Sequence, residues 1–205
     1  MGASTEEDLT EGLNYLATQE FDYMAGPPDI SSDEAQAVVT WIKNQRENNH
    51  AIYKAVLPDT DADYECIINM TTGECDLGDD AHTKLNAAQM CSRIAGLIAG
   101  TPMKISCTYA PLTELADCAR LTREEGDAAI DAGKFILIHD GQKVKVGRGI
   151  NSFVTTIDGK GTAFQKIKIV ECMHMMEQDI RKTAEDSYIG KYPNSYDNKC
   201  LLMTA

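Results

Sequence analysis

Phe21-Asp22-Tyr23-Met24-Ala25, then Ser31-Ser32-Asp33-Glu34 opening a run with Ala35, Val38, Val39, Trp41 and Ile42, then Ala51-Ile52-Tyr53-Lys54-Ala55-Val56-Leu57-Pro58: these three stretches decide the fold class. The first alternates and reads as a strand, stopped by Gly26-Pro27-Pro28-Asp29. Ser31 and Glu34 fit a capping box, in which the hydroxyl and the carboxylate each bond the other's backbone amide. The apolar positions that follow recur every three to four residues, which gives a helix with one buried stripe, ending near Asn48-Asn49. The third stretch is a strand closed by Pro58. Ahead of them, Glu6 to Gln19 places Leu9, Leu13, Leu16 and Ala17 at helical spacing. Acidic residues crowd its start, where they suit the positive end of the helix dipole. Helix, strand, helix, strand is the order of an α/β layer with parallel pairing.

Further along, Asp59 to Asp63 reads as an acidic loop, Tyr64 to Met70 as a third strand and Thr71 to Asp80 as a Gly- and Asp-rich loop. Thr83 to Ala99 reads as a helix, with Leu85, Ala88, Met90, Cys91, Ile94, Ala95, Leu97 and Ile98 apolar around much of its girth, so burial on two sides is expected. Ala95, Gly96, Ala99 and Gly100 would let another backbone pack closely. Gly100-Thr101-Pro102 ends that helix, and Ser106 to Tyr109 reads as extended. Thr122 opens a helix through Ala132, with Glu125 completing a second capping box and Gly133 as its C-cap. Lys134 to His139 and Gln142 to Val146 read as strands around an Asp140-Gly141 turn. Gly147 to Ser152 continues extended, and Asp158-Gly159-Lys160-Gly161 is a turn. Ala163 to Tyr188 is the longest helix, with Ile167, Val170, Met173, Met176, Ile180 and Ala184 along one face. Pro193 interrupts it, and Asn194 caps a last helical segment through Met203.

The chain has 205 residues and a formal net charge of −13, with 43% hydrophobic and 25% charged residues. That length allows one full domain or two small ones, with a core that needs no metal or disulfide. The excess of 32 acidic over 19 basic residues argues against wide nucleic-acid contacts and against anionic membrane surfaces. The longest apolar run, Ile94 to Ala99, falls far short of the roughly 20 residues that span a bilayer. Met1 to Glu7 has neither a basic start nor an apolar segment, and matches neither a secretory signal nor a myristoylation pattern. The cysteines (Cys66, Cys75, Cys91, Cys107, Cys118, Cys172 and Cys200) are odd in number and show no C-x-x-C spacing, so reduced thiols are the simple reading.

Several motifs invite a chemical reading. Asp59-Thr60-Asp61-Ala62-Asp63 begins like a calcium loop, but Tyr64 stands where glycine is needed and Met70 where the bidentate glutamate belongs. A solvated acidic loop is the expectation. Gly147-Arg148-Gly149 lacks the third glycine of a dinucleotide cradle, since position 152 is Ser, and reads as a bulged or twisted strand. Cys172-Met173-His174-Met175-Met176 reads as methionine core filler, with His174 pointing elsewhere. His139 with Asp140 reads as a turn pair, and Asn69-Met70-Thr71 as an accidental glycosylation match. No cofactor or metal site is expected, and a binding or structural role is favoured. Two alternatives stay open. One is a small-ligand or adaptor module. The other is an α/β enzyme with a cysteine-centred site, Cys107 or Cys118 with His139, which needs a thiol of lowered pKa.

A family resemblance rests on Gln89 to Pro102 with Ser106-Cys107-Thr108-Tyr109, on Glu125, Ile130 and Ala132-Gly133 with the hairpin to Val146, and on Arg148-Gly149-Ile150-Asn151-Ser152. Ile167-Lys168-Ile169-Val170, Asp179-Ile180-Arg181, Tyr188-Ile189-Gly190-Lys191 and Pro193 to Lys199 extend it. In order and spacing these resemble the contractile phage tail sheath proteins, nearest to the sheaths of defective prophages and phage-tail-like bacteriocins of Gram-positive bacteria. The resemblance implies an α/β (α+β) fold, a mixed sheet covered by helices with a helical C-terminal region. It divides the chain into a middle domain over residues 1–110 and a truncated part of the C-terminal domain over 111–205. It also implies a fragment without the two terminal arms that donate strands to neighbouring subunits. The implied function is a non-enzymatic sheath subunit that assembles helically around an inner tube and contracts. Its partners would be other sheath subunits, the tube protein, and baseplate and terminator proteins. Its place would be a virion or phage-tail-like particle assembled in the bacterial cytoplasm. Arg181, Lys182 and Lys191 are the implied tube contacts.

Overall fold

In a computed structural model, which describes residues 6–204, the Ser31 hydroxyl accepts the Glu34 amide at 3.3 Å and the Glu34 carboxylate accepts the Ser31 amide at 2.8 Å. Readings made on Met1 to Thr5 lie outside the described residues. Helix α2 (Ser32–Asn49) starts at that box, after α1 (Glu6–Leu16) and β1 (Tyr23–Ala25). It leads to β2 (Lys54–Pro58) and β3 (Ile67–Met70). Two short strands, β4 (Cys75–Asp76) and β5 (Lys84–Leu85), precede α3 (Ala87–Ala99) and α4 (Arg123–Asp131). Then come β6 (Lys134–Phe135), β7 (Leu137–His139) and β8 (Val144–Val146), followed by α5 (Ile167–Ser187) and α6 (Tyr196–Thr204).

The main sheet has the order β1-β2-β3-β6, and every pairing in it is parallel. Its two faces are sorted residue by residue along β2. Ala55 and Leu57 pack with Ala35, Val38, Val39 and Ile42 of α2 and with Leu13 of α1. Val56, between them, packs with Met90, Cys91 and Ile94 of α3 on the other face. Strands covered by helices on both faces read as continuous apolar runs, which is why Ala55-Val56-Leu57 shows no alternation. The α/β class and the helical C-terminal region read from the sequence both hold. Antiparallel pairing lies outside that sheet, in two separate ribbons, β4–β5 and β7–β8, and in isolated bridges such as Ile150–Lys166.

Several element boundaries move, each for a local reason. The third helix starts at Ala87 rather than Thr83, because Lys84-Leu85 pair with β4 and Asn86 forms its own capping box with Gln89. β4 itself lies within the stretch read as loop. That helix buries one broad stripe, and Gly96, Ala99 and Gly100 stay exposed. Ser106 to Tyr109 is a turn, not a strand, with Tyr109 at φ 59°. The run Lys134–His139 is broken at Ile136, because its first half pairs with β3 and its second half with β8. No strand forms at Gly147-Arg148-Gly149. The longest helix starts at Ile167, since a bridge between Ile150 and Lys166 and a 3-10 turn at Thr162–Gln165 occupy the residues before it. In the last helix it is the Ser195 hydroxyl, not Asn194, that accepts the Asn198 amide, at 3.3 Å.

Contacts divide the chain into two units, Met1–Val170 and Glu171–Ala205. A boundary at 110/111 runs inside the first of these, between β3 and its partner β6. In the second unit Met173, Met175, Met176 and Ile180 are exposed while His174 is buried, the reverse of the core-filler reading. A unit this short cannot build a core of its own for those side chains.

Candidate functional site

Arg148 to Ser152 is the segment of the first unit in which nearly every residue has a defined task. Gly149 is required by close approach, since a Cβ there would lie 2.7 Å from the Cys107 sulfur. Asn151 is buried, and its amide donates to the Phe164 carbonyl at 2.7 Å while its oxygen accepts the Phe153 N–H at 3.1 Å. The Ser152 hydroxyl donates to the Tyr64 carbonyl at 3.0 Å, and its backbone N–H donates to the Ile67 carbonyl at 2.8 Å. Only the Arg148 side chain is exposed.

The acidic loop secures the next residues. Asp63 Oδ1 accepts the N–H groups of Val154 at 2.7 Å and Thr155 at 2.9 Å. Asp61 accepts from the buried Asn69 amide at 2.7 Å. These carboxylates are used in hydrogen bonds, so the loop is more than the solvated acidic stretch expected. The Asp63 carboxyl is held below its ordinary 3.8 by the Thr155 side-chain hydrogen bond first and then by the two amides. A depressed folded-state value stabilises above the unfolded value and loses that effect as pH falls through the folded one. Asp63→Ala is therefore expected to lower Tm by about 2–4 °C at neutral pH, the scale of one net hydrogen bond in a chain this long. The gap to the parent should close as pH falls below 3.8. Melting curves across that range check it, and a gap independent of pH contradicts it.

Arg148 stands on the rim of a cleft of about 600 Å³. Ser106, Thr108, Asn151, Lys166 and Lys168 also line it, with Ile150, Phe153 and Ile169 as its apolar part. The turn at Ser106–Tyr109 brings in the two hydroxyls, and the Thr108 hydroxyl accepts the Gly149 N–H at 3.0 Å. The start of α5 brings in the lysines. Reading the chain by spacing missed this cleft. Its members lie some sixty residues apart, and although Ser106 and Thr108, Arg148 and Asn151, and Lys168 each sit in a stretch the sequence singled out, nothing in their spacing brings those stretches together.

The residues expected to touch a tube lie in the second unit. Arg181 and Lys182 are neighbours on α5, and Lys191 follows the helix end; all three are exposed. Arg181 pairs with Glu177 at 3.1 Å, and the Lys191 ammonium donates to the Asp186 carbonyl. The cysteine-centred arrangement gains nothing from the geometry. Cys107 and Cys118 are both buried, and burial pushes the Cys118 thiol up, away from a nucleophile's range. Burial likewise pushes Cys66, Cys75 and Cys91 up to about 12. His139 Nδ1 accepts the Gly141 N–H at 3.0 Å, and Asp140 accepts from Gln142, Lys143 and Lys145, so both are turn residues. None of the seven cysteines is in a disulfide. Among the described residues no group of three or more His, Cys, Asp or Glu is placed to hold a metal.

The first unit is thus a three-layer α/β body with a surface cleft and buried thiols. Residues 2–152 match the family model of the phage tail sheath protein central domain. The chain belongs to the phage tail sheath family. It is 39% identical to the tail sheath protein of Clostridium phage phiCD119 over 202 residues, which cover 98% of this chain and 55% of that protein. The sheath tail protein of Desulfitobacterium hafniense has the same fold, with a TM-score of 0.88 at 25% identity over 99% of this chain and 48% of its own. The anti-feeding prophage helical sheath in its contracted state shares the fold, with a TM-score of 0.70 at 16% identity over 100% of this chain and 57% of its own. The chain thus spans about half the length of the relatives it matches.

Proposed function

We propose that this chain is the body of a contractile tail sheath subunit, which assembles helically around an inner tube and contracts to drive that tube through a cell envelope. The observation that carries the reading, beside family membership, is the second unit. Its apolar side chains Met173, Met176, Ile180, Leu201 and Met203 are exposed. Exposed apolar groups gathered on so short a segment mark a contact surface. A helical sheath needs such heterologous contacts, in which one surface of a copy meets a different surface of the next without closing a ring. Contraction is then a switch between two packings of rigid bodies.

In this reading Arg181, Lys182 and Lys191 contact the tube, and baseplate and terminator proteins meet the ends of the stack. Assembly takes place in the bacterial cytoplasm, and the product is a virion or phage-tail-like particle. Negative-stain microscopy tests the reading. A chain extended to the full length of the relatives should form rings or tubes at high concentration, and the 205-residue chain should not. A full-length chain that stays monomeric at high concentration with tube protein present would sink it.

A further inference from the structure

Charge is distributed along this chain with a strong polarity. Residues 1–42 contain nine Asp and Glu and no Lys or Arg. Residues 132–170 contain seven Lys and Arg against two Asp, in a chain whose net charge is −13. Part of that positive charge is neutralised internally: Lys145 pairs with Asp140 at 2.9 Å and Lys160 with Glu65 at 2.6 Å. Of the five that remain, Arg148, Lys166 and Lys168 line the cleft. Arg148 and Lys166 are exposed and have no carboxylate partner among the described residues. Lys168 is held only by the Lys104 carbonyl, at 2.9 Å. Ser106 and Thr108 add hydroxyls, and Asp131 is the one carboxylate lining the cleft. At the other pole Glu11, Glu20, Asp22 and Asp29 are all exposed.

We propose that the cleft rimmed by Arg148, Lys166 and Lys168 receives the acidic segment around Glu11 to Asp29 of a second copy of this chain. The argument is charge complementarity. Like-charged cations gathered at one concave site raise its potential and attract carboxylates, and the longest stretch free of Lys and Arg is the chain's own N-terminal part, residues 1–42. The contact is head-to-tail, the kind that the self-assembly reading on which it rests requires. The Ser106 and Thr108 hydroxyls share one hydrogen bond at 3.0 Å, which leaves one of the two to donate to an incoming carboxylate and gives the contact direction as well as attraction.

The test uses sedimentation velocity of the 205-residue chain. The parent should self-associate with concentration at about 0.02 M salt and dissociate at about 0.5 M, where the Debye length falls to a few ångström. The cleft variant Arg148→Glu/Lys166→Glu and the segment variant Glu11→Lys/Glu20→Lys/Asp29→Lys should each associate on the order of tenfold more weakly, since each sets like charge against like. Mixed one to one, the two variants should associate again, because each then offers the other opposite charge. That recovery also shows that both fold. A parent that stays monomeric at low salt, variants that associate as the parent does, or a mixture no better than its parts would each overturn the contact. Rings or tubes from the full-length chain would stand regardless, so failure of this contact is distinguishable from failure of the sheath reading.

Discussion

Phe135→Ala is expected to lower the melting temperature by about 10–15 °C, corresponding to 3–5 kcal/mol for emptying a buried aromatic site in a chain of this length. Phe135 is fully buried. It lies on β6, where it pairs with Met70 across the parallel ladder, and its carbonyl accepts the Thr71 N–H at 3.2 Å. The cluster it enters joins three pieces distant in sequence: Val56, Ile68 and Met70 of the sheet, Met90, Cys91 and Ile94 of α3, and Val144 and Val146 of the β7–β8 ribbon. Truncation leaves a void where these pieces meet, and a close-packed interior relaxes into such a void only in part. Differential scanning calorimetry of the parent and the variant gives the shift directly. A variant melting within a few degrees of the parent would show that the ribbon and the sheet do not share one cooperative core.

How much of this was legible beforehand depends on the range of the interactions. The capping boxes at Ser31 and Thr122 span three residues and were readable as motifs; both form as expected. So does the reversal at Gly133, which has φ +73° and follows α4. The α/β class followed from the helix–strand alternation around Val56, which needs only local patterning. What failed was decided by partners far along the chain. Ile136 divides one apolar run between two sheets, and nothing in Lys134–His139 reveals that its halves have different neighbours. Met173 and Met176 carry a regular apolar spacing that predicts burial, yet both are exposed. The cleft was illegible for the same reason, since Ser106, Arg148 and Lys166 meet only once the chain has folded. Family resemblance singled out Arg148 to Ser152 as a unit, but could not say which of its residues serve the fold and which serve something else.

That distinction yields the second large effect. Asn151→Ala is expected to cost about 2–4 kcal/mol, or roughly 5–12 °C in Tm, because a buried donor and a partly buried acceptor each lose their partner. The Phe153 N–H and the Phe164 carbonyl both depend on the Asn151 amide, which is 1% exposed and open to no compensating solvent. Arg148→Ala, three residues earlier, should move stability by no more than about 0.5 kcal/mol, since an exposed side chain without an ion pair has little to lose. For association, Arg148→Ala should weaken the low-salt contact while its melting temperature stays at the parent's. Measured side by side, the two variants separate a residue that holds the cleft's wall in place from one that presents charge at its rim. Loss of stability in Arg148→Ala, or none in Asn151→Ala, would mean that the segment's hydrogen bonds do not set its conformation. The close approach of Gly149 to Cys107 would then be left as the constraint that shapes it.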